Sequence, residues 1–275
     1  MFLKLMKNNP LLTVGLTICS GWLLIAIVAP YISPYDPLAQ NLAMRFRPPS
    51  ALFWLGSDSL GRDVLSRILV GSRISILAGL MTISFAAFIG TIYGGLSGYI
   101  GGRLDDIMMR GAEMVLAFPG IILAMTIAAA LGPSLYNTLL AMVIIWWPNY
   151  ARVMRGMVIA NKENDYVEAA KSLGASHFWI FFKEILPNCL GQILVVATLD
   201  FGNAVLLFST LSFLGLGSPP PAPEWGAMVA DGVRNFNYWW IGTFPGLVIL
   251  SMSIGANFIG DSLRDLLDPR LRKMM

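Results

Sequence analysis

The sequence predicts an all-α, polytopic membrane protein with six transmembrane helices. Hydrophobic residues make up 56% of the 275 residues and charged residues only 13%, whereas a soluble domain typically carries about 25% charged residues. Six apolar stretches reach or approach the length that a helix needs to cross about 30 Å of hydrocarbon. Turn-forming or charged segments separate these stretches. The predicted spans are residues 11–32, 74–99, 115–131, 135–150, 189–211 and 239–259.

The first apolar stretch, 11–32, contains no charged residue and follows a short segment with Lys4 and Lys7. A cleaved signal peptide is the alternative interpretation. The apolar core of a signal peptide usually has about 7–15 residues, which is fewer than in this stretch. Pro30 also directly follows Ala29, the only small residue placed for cleavage. We therefore expect an uncleaved first transmembrane helix.

The connector 33–73 is the first long polar segment of the chain. Prolines near its start prevent a helix there, because proline lacks an amide donor and restricts the residue before it. Gly56 and Gly61 permit turns. Asp63 and Arg67 have the i,i+4 spacing of a helical ion pair. The residues by themselves predict a solvated connector that ends in a short surface helix.

Two features of the middle spans predict how the helices pack. Gly90, Gly94 and Gly98 fall on one face of a helix, which allows a neighbouring helix to approach closely. Pro119 interrupts the third span and predicts a kink or a local unwinding, which membranes tolerate where neighbours satisfy the freed carbonyl.

The segment 165–188, DYVEAAKSLGASHFWIFFKEILPN, is a long polar interruption between apolar blocks. Its first residues favour a helix, and Gly174 is a typical helix stop. Apolar and polar positions then follow at near-helical spacing. The segment predicts a short helix, a glycine break and a second short helix, both on the membrane surface. Such an element suits the docking of a partner.

Six positions of this segment follow a known pattern. They are Glu168, Ala169, Ala170, Gly174, Leu186 and Pro187. The pattern resembles the EAA loop of ABC importer permeases, although Glu184 stands where that family has isoleucine. The resemblance implies that these residues form the coupling element, within a coupling loop 155–188, that sits in a groove of the ATPase subunit.

Three further segments resemble the oligopeptide, dipeptide and nickel branch of the same permeases. They are 54–67 (WLGSDSLGRDVLSR), 211–226 (LSFLGLGSPPPAPEWG) and 260–270 (GDSLRDLLDPR). The resemblance implies a type I (MetI-like) importer transmembrane domain with a cytoplasmic coupling helix, and ordered elements on the outer face at 54–67 and 211–226. It divides the chain into 1–73, an N-terminal transmembrane helix and periplasmic connector, 74–262, a permease domain of five helices, and 263–275, a cytoplasmic tail.

The resemblance also implies the partners and the mechanism. The partners are a second homologous permease chain, two ABC ATPase subunits, an extracytoplasmic solute-binding protein and membrane lipid, without nucleic acid. The location is the inner, cytoplasmic membrane. The implied mechanism is alternating access, in which closure of the ATPase pair pulls two coupling helices together and turns the translocation path outward.

The distribution of basic residues predicts the orientation. Most of the 19 Lys and Arg residues fall in the segments that are inside when the N-terminus is inside. The positive-inside rule therefore favours cytoplasmic N- and C-termini. The connector 33–73 also carries basic residues, but Asp36, Asp58 and Asp63 lie among them.

No residue pattern predicts catalysis, a metal site or a cofactor. The chain has no GxxxxGK[ST] sequence, so ATP must be bound by another chain, and it has neither HExxH nor GxSxG. The lone His177 and the two cysteines, Cys19 and Cys189, form no cluster with metal-ligand spacing. An integral membrane enzyme is therefore not expected.

One acidic residue within a predicted span, Asp200, is a candidate for function, because intramembrane carboxylates are costly. A hydrogen-bonded packing contact is the alternative. Asp200, Asn203 and Asn137 are candidates for the lining of the translocation path.

The resemblance implies import of di- or oligopeptides, with nickel or a metal chelate as the alternative substrate. A secondary transporter or channel is the alternative from another class. One membrane acid and no evident internal repeat give that class little support.

Overall fold

The computed structural model describes residues 9–267, which form helices and no β-strand. The helices are α1 (Pro10–Ile32), α2 (Val64–Ile100), α3 (Gly102–Leu116), α4 (Gly120–Leu131), α5 (Leu135–Lys162), α6 (Asp165–Ser172), α7 (His177–Phe213), α8 (Trp225–Arg234) and α9 (Trp240–Leu267). Lys4, Lys7 and the tail from residue 268 onward, including the end of the 260–270 segment, lie outside the described residues.

Four of these helices, α1, α2, α7 and α9, are long and apolar enough to cross a membrane. The pair of α3 and α4 is a fifth candidate, bent by 84°. α5 has 28 residues, but its composition is too polar to place it in this group. The all-α, multi-pass fold class is therefore confirmed. By length and composition the described chain supports four or five spans rather than six.

The second span starts earlier than the predicted residue 74. The Asp63 carboxylate accepts a hydrogen bond from the Ser66 amide at 2.8 Å, which satisfies one of the free N–H groups at a helix start. α2 therefore begins at Val64, and the end of the connector is the first turn of the span rather than a separate surface helix. Asp63 does not pair with Arg67, whose Nε lies 3.5 Å from the Asp58 carboxylate instead.

The third span, predicted at 115–131, is two helices that meet at Pro119. The bend of 84° is much sharper than a proline kink. The helical region also begins earlier, because α3 continues through charged residues that an apolar pattern excludes. Arg103, Asp106 and Arg110 lie on its exposed side.

The glycine stripe of α2 packs against α5, as the sequence predicts. A Cβ atom added at Gly94 would lie 2.6 Å from the Cα of Ala151, and one at Gly98 would lie 2.9 Å from the carbonyl oxygen of Arg155. Real Cβ atoms do not approach other atoms so closely. The two backbones are thus in direct contact, and the two helices run in the same direction.

The loop before the last span contains a helix, α8, that the sequence reasoning missed. Glu224 caps it, because its carboxylate accepts from the amides of Gly226 and Ala227, both at 2.9 Å. The side chain is fully buried. Burial raises the pKa of the Glu224 carboxyl, against the lowering effect of these hydrogen bonds. Trp225 fixes α8 on α2 by donating to the Ile68 carbonyl at 3.0 Å.

The loops gather at two ends of the bundle. The connector end consists of residues 33–63, the turn 132–134 and the segment 214–239. Trp240 donates to the Ser57 carbonyl at 3.1 Å, and Thr138 at the start of α5 donates to the Leu216 carbonyl at 2.6 Å. These bonds tie the connector to α9 and the start of α5 to the proline-rich loop.

The opposite end, called the α6 end, consists of residues 97–105 and 155–188. Lys162, the last residue of α5, donates to the Tyr99 carbonyl at 2.8 Å. The Tyr99 hydroxyl in turn lies 3.1 Å from Nδ1 of His177 at the start of α7. The ends of α2 and α5 and the start of α7 therefore meet here.

Gly94→Ala should destabilise the protein, because its methyl group would collide with the backbone of Ala151. We expect the free energy of unfolding to fall by about 1–3 kcal/mol, as for overpacked cores. Thermal denaturation of the detergent-purified protein measures this. Gly156→Ala on α5 is the matched control, since no described atom beyond its own helical turn lies within 4 Å of the added Cβ. Equal melting temperatures for the two variants would contradict the close contact.

Candidate functional site

The short helix α6 is held to the bundle by one face and exposes the other. Val167 and Ala170 are buried and belong to the same core cluster as Ile180 and Phe181 of α7. Glu168, Ala169 and Lys171 are exposed. Glu168 lies in the first turn, where the helix dipole favours a negative charge. Among the described residues nothing bonds to its carboxylate, so this charge is free to meet a partner.

A glycine-dependent motif ends α6. Gly174 has φ +78°, a left-handed conformation that glycine adopts without steric cost. Its amide donates to Lys171 O at 2.9 Å, and the Ala175 amide donates to Ala170 O at 3.1 Å. This pair of bonds is the Schellman arrangement. It leaves Leu173 88% exposed at the tip, so an apolar side chain projects from the α6 end.

The second short surface helix that the sequence predicts is absent. α7 is continuous from His177 to Phe213 and starts well before the predicted residue 189. A π-helical stretch, Ile180–Ile185, precedes Pro187. Because proline has no amide proton and its ring clashes with the preceding turn, the wider turn accommodates it without ending the helix.

The structure therefore separates the six predicted coupling residues into three groups. Glu168, Ala169 and Gly174 share the exposed side of α6. Ala170 faces the core. Leu186 and Pro187 lie on α7, half-buried and exposed respectively.

Aromatic side chains beside α6 extend its exposed apolar surface. The rings of Phe178 and Phe182 pack at 39° to each other with centroids 4.4 Å apart, and they are 73% and 42% exposed. Phe181 turns inward and lies 5.3 Å from the Tyr99 ring. Apolar side chains of 177–184 therefore lie on both the buried and the exposed face of this helix end.

A partly buried ion pair fixes the α6 end, and the sequence reasoning missed it. Arg155 of α5 donates to both oxygens of Asp105 at 2.7 and 2.6 Å, and Ser97 of α2 also donates to Asp105. This carboxylate joins α2, α3 and α5. Because the partners are far apart in sequence, no local spacing could have indicated the pair.

The path candidates lie in two places. Asp200 is half-buried on α7, beside Tyr150 and Trp146 of α5. Asn203, one turn further, is exposed to a cleft of about 390 Å³ that Trp146 and Gly120 also line. Asp200 and Asn203 therefore share a helix face.

Asn137 does not join the other two path candidates. Its side chain donates to the carbonyls of Leu131 and Gly132 at 2.9 and 3.0 Å. Free carbonyls at a helix C-terminus need such partners. The observed role of Asn137 is thus to close the turn between α4 and α5.

Asp105→Ala should destabilise the α6 end, since it leaves the Arg155 guanidinium and Ser97 without their acceptor. We expect a loss of about 1–3 kcal/mol in the free energy of unfolding, measured by thermal denaturation. The neighbouring acid gives the control. Asp106 is exposed, so Asp106→Ala should change stability by less than about 0.5 kcal/mol. Equal melting temperatures for the two variants would show that the ion pair does not stabilise the fold.

Comparison with known proteins finds two sequence families along the chain. Residues 86–273 match the family described as binding-protein-dependent transport system inner membrane component. Residues 1–49 match the N-terminal TM domain of oligopeptide transport permease C.

Individual relatives cover almost the whole chain. The chain is 46% identical to the probable D,D-dipeptide transport system permease protein DdpC of Escherichia coli K12, over 97% of this chain and 90% of that protein. It is 42% identical to the dipeptide transport system permease protein DppC of Alkalihalophilus pseudofirmus, over 98% and 89%. It is also 42% identical to the oligopeptide transport system permease protein OppC of Bacillus subtilis, over 97% and 88%.

Proposed function

The chain belongs to the family of binding-protein-dependent transport system inner membrane components, and from this membership we propose that it imports di- and oligopeptides as the permease subunit of an ATP-driven transporter. It is a multi-pass subunit of the inner membrane and a transport protein rather than a catalytic enzyme. The observation that carries the proposal is the near-full-length identity to permeases of dipeptide and oligopeptide transport systems. Nothing in these similarities favours nickel, a metal chelate, a secondary transporter or a channel.

We further propose six crossings, with α5 as the remaining one. α5 begins beside Leu216 at the connector end and finishes beside Tyr99 at the α6 end. It thus extends over the same distance as its neighbours. Its polar composition is compatible with a membrane because α5 packs against the glycine stripe of α2 and is largely shielded from lipid.

The proposed orientation has both termini in the cytoplasm. The α6 end is then inside and the connector end outside. The basic residues of the α6 end, among them Arg103, Arg155 and Lys162, favour this arrangement under the positive-inside rule. The division into 1–73, 74–262 and 263–275 stays a prediction, although α2 and α9 continue through both boundaries as single helices.

We propose that α6 docks an ABC ATPase subunit. Its exposed charge at Glu168, the small Ala169 and the projecting Leu173 offer a compact surface with one acid and one apolar tip. Two such ATPase subunits, a second homologous permease and a solute-binding protein complete the proposed transporter. Because Val167 and Ala170 pack against α7, a displacement of α6 acts on the helix that carries Asp200.

Peptides loaded on the cognate solute-binding protein should stimulate ATP hydrolysis by the reconstituted complex, and nickel chelates should not. The measurement compares the hydrolysis rate with dipeptides, longer peptides and nickel chelates as ligands. The unloaded binding protein provides the baseline. Stimulation by a nickel chelate alone would show that the substrate is a metal chelate rather than a peptide. If no ATPase subunit purified with the complex, the assignment to an ABC transporter would be refuted.

Gly174→Val should uncouple hydrolysis from substrate, since a left-handed conformation costs a non-glycine residue about 1–2 kcal/mol and most of all a β-branched one. Gly174→Asn is the matched control because asparagine tolerates this conformation. We expect substrate-stimulated ATP hydrolysis about fivefold lower in the valine variant and near normal in the asparagine variant. Full stimulation in a folded Gly174→Val complex would contradict the docking role of α6.

A further inference from the structure

A cavity of about 520 Å³ opens at the connector end. Its walls come from the connector, the first turns of α2, the end of α7 with the prolines 219–221 that follow it, and α8, together with Pro133 and Ile241. Most of the lining is apolar, including Leu60, Phe213 and Met228. Ligand pockets typically measure roughly 300–1,000 Å³ and have apolar walls with a few converging polar groups. This cavity has that size and that composition.

Two buried guanidinium groups line the cavity and share one carboxylate. Arg62 is 7% exposed and Arg67 is 4% exposed. Arg62 Nε donates to Asp58 Oδ2 at 2.6 Å, and Arg67 Nε lies 3.5 Å from the same oxygen. Arg67 Nη1 also donates to the Pro37 carbonyl at 3.0 Å. Two positive charges therefore have one close counter-charge.

The terminal nitrogens of Arg62 have no acceptor among the residues that the structure describes. Arg62 is 7% exposed and is one of the residues that line the cavity. A guanidinium group has five N–H donors in a fixed fork that matches the two oxygens of a carboxylate. Arg62 is thus a buried polar group with unpaired donors in the wall of a mostly apolar cavity.

The charge balance of the lining favours an anion. The lining contains three arginines, the buried Arg62 and Arg67 and the exposed Arg234, but only two acids, Asp58 and Asp231. Asp231 already accepts from Ser59 and Asn235, each at 2.9 Å. Leaving a buried charge uncompensated is costly, and an added carboxylate would offset that cost.

We propose that this cavity binds the C-terminal carboxylate of a short peptide, with Arg62 and Arg67 as its anchors. The inference rests on the proposed function of peptide import and adds to it a site within this chain. Every unmodified linear peptide carries that carboxylate, whereas the apolar walls place no demand on particular side chains. The site therefore holds peptides by their common end, at the end of the bundle that the proposed orientation places outside.

The test is equilibrium dialysis of L-alanyl-L-alanine against the purified complex, without its solute-binding protein, beside the C-terminal amide of the same dipeptide. We expect saturable binding of the acid and at least about tenfold weaker binding of the amide, because the amide loses a charge-assisted hydrogen-bonded pair. Equal binding of acid and amide, or no saturable binding of the acid, would overturn the proposal.

Three variants locate the site on the protein. Arg62→Lys keeps a positive charge beside Asp58 but loses the fork, and it should weaken binding of the acid about tenfold. Arg234→Gln changes an exposed position of the same lining. It should weaken binding of the acid by a smaller factor than Arg62→Lys does, and an exposed substitution should not disturb folding. Arg47→Lys is the matched control, since Arg47 is exposed and lies outside the cavity lining. An unchanged affinity in both cavity variants would refute the assignment.

Uptake of the dipeptide by vesicles that contain the full transporter separates the two levels of the proposal. Vesicles that take up L-alanyl-L-alanine while the complex shows no carboxylate-dependent binding would refute the cavity site alone. Absence of uptake by an assembled, ATP-hydrolysing system would refute the peptide-import function itself.

Discussion

Along one face of α2, three glycines remove the side chains that would keep α5 at a distance. In a membrane, lipid tails are as apolar as leucine, so burial of apolar surface gives little drive for helices to associate. Close van der Waals contact and hydrogen bonds must hold the bundle instead. The contact of Gly94 with Ala151 fixes α5, and α5 carries Tyr150 and Trp146 beside Asp200. The ion pair at Arg155 and the start of α6 also depend on its position.

The two ends of the bundle are built differently. The connector end is cross-linked by buried polar groups, with Asp58, Arg62 and Arg67 in one cluster and Glu224 capping α8. The α6 end also has a polar cluster, at Asp105 and Arg155, but the short helix α6 itself rests on a few apolar side chains. Its exposed Glu168 carboxylate has no partner among the described residues. In the proposed orientation and docking, the connector end would receive solute and the α6 end would meet the ATPase, and the asymmetry is consistent with these two tasks.

α7 connects these tasks physically. It runs without a break from His177, beside α6, through the π-helical stretch and on to Asp200 and Asn203. A helix that began only after Pro187 would separate the exposed segment from the membrane by a flexible joint. A continuous helix instead transmits a displacement of its first turn along its length. The wider turn before Pro187 is the local feature that preserves this continuity.

The sequence by itself determined the features that rest on local chemistry. Composition and apolar length predicted an all-helical membrane protein, the glycine spacing predicted the contact face of α2, and Gly174 predicted the end of α6. The tertiary structure decided what depends on distant partners. The ion pair of Asp105 and Arg155 forms only where α3 meets α5. The pairing of Arg67 with Asp58 rather than Asp63 depends on how the connector packs on the start of α2. The separation of Asn137 from Asp200 depends on which parts of α5 and α7 meet. Helix ends also shifted. The Asp63 cap that starts α2 is local, but it lies in a polar stretch that an apolar pattern excludes. The continuity of α7 through Pro187 depends on the wider π-helical turn before it.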